Sequence, residues 1–177
     1  MIARQPPHAS GSGGSTSAER PPPEIEEVFE EFRTCEFSTI ARDGTPITWP
    51  CAARYNPNET SFLLTSSVGL YSKIANVRRN RKVSLFFSDP TASGLHDAPD
   101  VLVQGEAEAS DEVTAVEGLE DYWKTLFIRQ PVSRLYSLLP ARPFMDFYYM
   151  RIRIHVLARS IVWWSDHEPP KSWRRVG

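Results

Sequence analysis

Residues 64–82 read LTSSVGLYSKIANVRRNRK, and how this stretch folds decides the architecture. An apolar run, Phe62-Leu63-Leu64, ends in three small hydroxyl residues, Thr65, Ser66 and Ser67. The segment after Gly69 sets Leu70, Ile74 and Val77 on one helical stripe and carries Lys73, Arg78, Arg79, Arg81 and Lys82. The reading is a strand that hands over to a short helix. Hydroxyls and cations meet at that corner.

Such a corner suits an anion. Thr65, Ser66 and Ser67 can donate from hydroxyl and backbone N–H. Ser72 and Lys73 stand in the first turn of the helix, whose free N–H groups and dipole also favour negative charge. A phosphate monoester would gain several charge-assisted hydrogen bonds there. The alternative is that Thr and Ser only cap the helix while the arginines form its solvated face.

The rest of the chain bounds what the corner serves. At 177 residues, 41% hydrophobic and 24% charged, the sequence suits one globular domain. A net charge of −2 argues against a general nucleic-acid binder. Two cysteines, Cys35 and Cys51, are too few for a disulfide scaffold; they could be bridged, but a reduced cytoplasmic protein is the simpler expectation. No apolar run resembles a signal h-region or a membrane span, so no membrane partner is expected.

Residues 1–23 are rich in Pro, Gly and Ser and read as a disordered tail, leaving 24–177 as the domain. PEIEEVFEEFR spaces Ile25, Val28, Phe29 and Phe32 as an amphipathic helix. Two extended runs flank Asp43-Gly44, a common hairpin turn. Strands are read at TSFLLTS, KVSLFFSDP, DVLVQGEAEAS and the long run FYYMRIRIHVLARSIVWW, with Gly105 marking a bulge or a close backbone approach. A helix is predicted from Asp111, carrying Val113, Val116, Leu119, Tyr122, Trp123 and Leu126, and RLYSLLP (134–140) fits a short one. The expected fold is mainly β with flanking helices: a six-stranded, antiparallel split barrel.

The order of helix, hairpin, TSFLLTSS, YSKIANVRRNRKVSLFF and VLVQGEAE resembles the flavin-binding split barrel of the pyridoxamine 5′-phosphate oxidase-like superfamily over residues 24–165. In that superfamily the lysine matching Lys73 binds the FMN phosphate, and Thr65 and Ser66 match the strand tip that also meets it. The resemblance further implies Thr48, Trp49, Pro50 and Cys51 as neighbours of the isoalloxazine ring, through backbone groups. It implies Gln104 and Gly105 as a segment approaching from the other subunit or the barrel edge, and a homodimer with the cofactor between barrels. Phe144, Phe147, Tyr148, Tyr149, Trp163 and Trp164 could cover that interface or fill the barrel. The superfamily's vitamin-converting oxidases carry basic residues where this chain has Trp49–Arg54, and an arginine at the position of Ser72. Their Arg-containing C-terminal grip also differs from SWRRVG here. The implied activity is therefore an FMN-dependent oxidoreductase acting on a different small molecule. A deazaflavin (coenzyme F-420) reductase and a non-catalytic flavin- or haem-binding dimer are the alternatives.

Flavins carry the redox chemistry themselves, so no catalytic side chains are assigned. Cys51 is read as a redox thiol near the ring or as a small buried hydrophobe. His96 and His155 show no metal-ligand spacing. Specificity is expected from loop 89–99 and segment 129–147.

Overall fold

The computed structural model describes residues 15–16, 20–115, 117–129, 150–166 and 168–176. Among them lie nine strands: β1 (Ser15–Thr16), β2 (Cys35–Ile40), β3 (Pro46–Cys51), β4 (Arg54–Asn56), β5 (Ser61–Ser67), β6 (Lys82–Phe87), β7 (Asp100–Thr114), β8 (Arg151–Ser165) and β9 (Glu168–Arg174). Three helices accompany them: α1 (Pro23–Glu31), α2 (Ser72–Arg79) and α3 (Glu120–Arg129). None of these helices is long and apolar enough to cross a membrane.

Six strands form the split barrel in the order β3-β2-β6-β7-β8-β5, every neighbour antiparallel. The sheet does not close, because among the described residues β3 and β5 share no ladder. Fifteen-residue β8 organises the whole. Its first half carries β5, its second half carries β9, and β7 runs along both. Its alternation buries Ile152, Ile154 and Val156 in the barrel. The rings of Phe29, Tyr55, Phe62 and Phe87 pack together inside, Phe29 lying 4.9 Å from Phe62 and 5.0 Å from Tyr55 and Phe87. That contact explains the apolar stripe of α1, whose Ile25, Val28 and Phe29 are all buried.

Several expectations need correction. The helix predicted from Asp111 begins only at Glu120, because Asp111–Thr114 continue β7. Val113 pairs with Ile152 and is half exposed, so it lines no helix face. Arg78 and Arg153 hold Asp111 and Glu112 in ion pairs, and Gly118, at φ +73°, breaks the chain before α3. The second hairpin arm ends at Cys51, and Arg54–Asn56 pair with β5 instead. The C-terminal segment is strand β9, with Trp173 1% exposed. Pro169 and Pro170 lie at its exposed start, before the residues that pair with β1.

Of residues 1–23, read as a tail, most lie outside the described residues; Ser15–Thr16 run parallel to Ser172–Trp173. The short helix read at 134–140 and the aromatics Phe144, Phe147, Tyr148 and Tyr149 also lie outside them. Trp163 is buried, and Trp164 stacks on Phe86 at 5.7 Å.

Candidate functional site

The corner between β5 and α2 is built by its own hydrogen bonds. The Ser66 hydroxyl donates to the Leu70 carbonyl at 2.8 Å, and the Gly69 N–H donates to Ser67 Oγ at 3.3 Å. The Leu70 N–H returns to the Ser67 carbonyl at 2.9 Å. Two of the three hydroxyls thus shape the turn. The third does not: Thr65 Oγ1 is buried and has no hydrogen-bond partner among the described residues. A buried hydroxyl left unpaired costs about 1–3 kcal/mol.

Helix α2 is fixed by its other side. Ile74 and Val77 are fully buried, and buried Asn76 donates from Nδ2 to Thr39 Oγ1 of β2 at 3.0 Å. Among the described residues no side chain caps its N-terminus, where Tyr71 occupies the capping position. With the helix pinned this way, Lys73 turns toward β3. Its ammonium lies 3.9 Å from Cys51 Sγ and 5.8 Å from the centre of the Trp49 ring. Lys73 is only 8% exposed. Lysines are almost never this buried without a partner of opposite charge. Among the described residues, no carboxylate lies within ion-pairing distance of it. A cation–π contact and a weak sulfur acceptor do not neutralise it.

Trp49, Leu70, Ser72 and Lys73 line a small hollow of about 70 Å³. Ligand sites that enclose a drug-sized molecule run to roughly 300–1,000 Å³. One chain therefore offers an anchoring point here rather than a closed ring pocket. Burial pushes the Cys51 thiol up, and the neighbouring Lys73 partly offsets this.

The eleven residues read from the sequence separate into groups. Trp49, Ser72 and Lys73 line the hollow, and Cys51, outside that lining, lies 3.9 Å from the Lys73 ammonium. Thr65, Ser66 and Ser67 lie at the adjoining strand tip and are buried. Thr48 and Pro50 alternate to the opposite face of β3, where Thr48 Oγ1 bonds Ser38 Oγ at 2.7 Å. Only their backbones could serve a ligand on the Lys73 side. Gln104 and Gly105 sit on β7, with β6 and β2 between that strand and β3. Gly105 has a structural reason of its own: a Cβ there would lie 2.3 Å from the Leu157 carbonyl oxygen.

Arg151 was missed. Strand alternation alone turns it outward, yet it is 8% exposed, with its guanidinium 5.0 Å from the Trp123 ring. It is the register partner of Ser67, so a second buried cation stands beside the strand tip. No local signal marks it, because α3 arrives from a distant part of the sequence. Among the described residues no cluster of His, Cys, Asp and Glu could hold a metal ion.

Comparison with known proteins adds a family and a fold. The family model described as pyridoxamine 5′-phosphate oxidase matches residues 21–155. No curated protein matches the chain. Among solved structures, a Clostridium acetobutylicum protein related to general stress protein 26 of the pyridoxinephosphate oxidase family superposes with TM-score 0.57 at 14% identity, covering 85% of this chain and 92% of that one. An F-420 reductase gives TM-score 0.53 at 20% identity, covering 77% and 94%. A heme binding protein from Mycobacterium smegmatis gives 0.53 at 15%, covering 87% and 59%. Identities this low speak for the fold alone.

Proposed function

The chain belongs to the pyridoxamine 5′-phosphate oxidase family, and from that membership we propose that it is an FMN-dependent oxidoreductase whose cofactor phosphate is gripped at Lys73. The observation that carries this is the buried ammonium of Lys73 with no carboxylate to neutralise it among the described residues. A dianionic phosphate supplies the missing charge. The residues present fit that group: Lys73 as the point charge, Ser72 and the uncapped N-terminus of α2 as donors, and the unpaired hydroxyl of Thr65 at the strand tip. When bound, a flavin supplies hydride and electron transfer. The chain's own part is to orient it: Trp49 and Cys51 present the side of β3 along which the ring would run.

A deazaflavin cofactor carries a phosphate on a similar ribityl chain and would use the same grip, and an F-420 reductase shares the fold. Haem would leave Lys73 without a role. Absorption spectra of the purified chain, followed by reconstitution with FMN, coenzyme F-420 and haem in turn, separate the three. FMN binding with a Kd far below the others supports the assignment; haem binding alone overturns it.

Thr65→Val is expected to act in opposite directions on fold and ligand. Removing a buried unpaired hydroxyl leaves the cofactor-free protein as stable or more so. Losing a donor weakens FMN by about 0.5–1.5 kcal/mol, roughly two- to tenfold. Thermal melts and titrations of the same samples check both signs.

Because the hollow in one chain is too small for a tricyclic ring, we place its second wall on another copy, with Gln104 and Gly105 contributed across the interface. The FMN-loaded species should then scatter light as twice the 20.1 kDa chain. A stable cofactor-loaded monomer would contradict this arrangement.

A further inference from the structure

We propose that Cys35 and Cys51 are a reversible disulfide site, oxidised by hydroperoxides that enter through the Lys73 hollow. The two cysteines are direct register partners across the β2–β3 ladder, so their side chains leave the sheet on the same face. Directly opposed antiparallel residues have Cα atoms about 4.5 or 5.5 Å apart, depending on the kind of pair. Both spacings fall inside the roughly 4.4–6.8 Å range that a disulfide spans without backbone movement. Both thiols are reduced in the structure.

The two sulfurs are not equivalent. Cys35 is 1% exposed, inside the barrel. Cys51 is 9% exposed, and its sulfur touches the Lys73 ammonium, one wall of the hollow. Burial disfavours the thiolate at both sulfurs, but the ammonium beside Cys51 offsets part of that cost, so Cys51 rather than Cys35 is the sulfur placed to ionise and attack. The hollow's 70 Å³ admits about two molecules of water size. A hydroperoxide therefore fits where a tripeptide disulfide does not.

The chemistry balances. The Cys51 thiolate attacks one peroxide oxygen, the O–O bond breaks, and hydroxide leaves with the proton lost from sulfur as water. Cys51 is now a sulfenic acid. The Cys35 thiol attacks that sulfur, the S–O bond breaks, and the hydroxyl leaves with the Cys35 proton as a second water. Two thiols lose two electrons and one peroxide gains them. A dithiol reductant reverses the result. Forming the bond does not depend on the flavin reading, and the test uses cofactor-free protein, so either can fail alone.

The full chain would be treated with hydrogen peroxide, then alkylated, and its intact mass and peptides measured. The expected product is an intramolecular link between the Cys35 and Cys51 peptides, two hydrogens lighter, absent after dithiothreitol. Oxidised glutathione should not produce it. Cys35→Ser should stop at a dimedone-trappable sulfenic acid on Cys51, whereas Cys51→Ser should leave Cys35 unreacted. Lys73→Met should slow oxidation severalfold with the fold unchanged by circular dichroism. Two alkylatable thiols after peroxide, sulfinic acid without a linked peptide, or a link only between chains would each overturn the proposal.

Discussion

Lys73→Ala is expected to weaken FMN binding by about 1.5–3 kcal/mol, or roughly 10- to 150-fold in Kd, the range for a hydrogen bond to a charged group. The magnitude follows from the place of Lys73 in the fold. A surface lysine meeting a phosphate in water contributes little, because solvent screens it. Lys73 is buried, walled by Trp49 and held on a helix that Asn76 anchors to Thr39. Its charge is already desolvated before any ligand arrives, and the lower local dielectric strengthens the pairing.

The same burial predicts an opposite sign for stability. A cation buried without a counter-ion costs folding free energy. Lys73→Met fills similar space without the charge, so the cofactor-free variant should melt at or above the parent temperature while losing FMN affinity. If Lys73 were a structural element, held in place by Cys51 and Trp49 for the fold's sake, both substitutions would lower the melting temperature and leave the affinity per folded molecule unchanged. Titration calorimetry and thermal melts on the two variants decide between these outcomes.

What the sequence reveals of this site depends on how local the cause is. The β5–α2 corner is legible because its strand, turn and helix are consecutive and each obeys its own periodicity. The burial of Lys73 is not legible there: it lies about 100° around the helix from Ile74, off the apolar stripe, and it is the approach of β3 that covers it. The end of β7 is not legible either. DEVT carries acidic residues ahead of apolar spacings, which reads as a helix start. Its pairing with Ile152 and Arg151 is invisible locally, because the partner strand lies some forty residues downstream. Tertiary pairing overrides propensity there. Arg151 fails for a related reason: alternation gives the face but not what covers it. The split between Trp49 and Cys51 on one side and Thr48 and Pro50 on the other was, by contrast, readable from strand period alone. Four consecutive strand residues can all offer backbone groups to one ligand, but only two of their side chains can face it.

Gly105 shows how a family position can carry two meanings, and its substitution separates them. Gly105→Ala is expected to destabilise the fold by about 3 kcal/mol, the upper end for inserting one carbon into a packed site. For a chain of this size that corresponds to a melting temperature lower by about 6–12 °C. The new Cβ would stand 2.3 Å from the Leu157 carbonyl oxygen and 3.1 Å from its carbon, with Ala158 Cα at 3.3 Å. All three atoms are backbone, so no side chain can swing aside. The register shift between Gln104 and Gly105 places this crowding inside the longest ladder of the sheet, between β7 and β8. Relief would require those two strands to part. Gly69→Ala is the control. Among the described residues its Cβ would meet only Ser67 Oγ, at an ordinary 3.7 Å, so its melting temperature should stay close to the parent's even though it sits beside the proposed phosphate grip. Should Gly105→Ala instead keep its melting temperature and lose FMN, the glycine would be there for the cofactor, and β8 would have to lie farther from β7 than the structure places it.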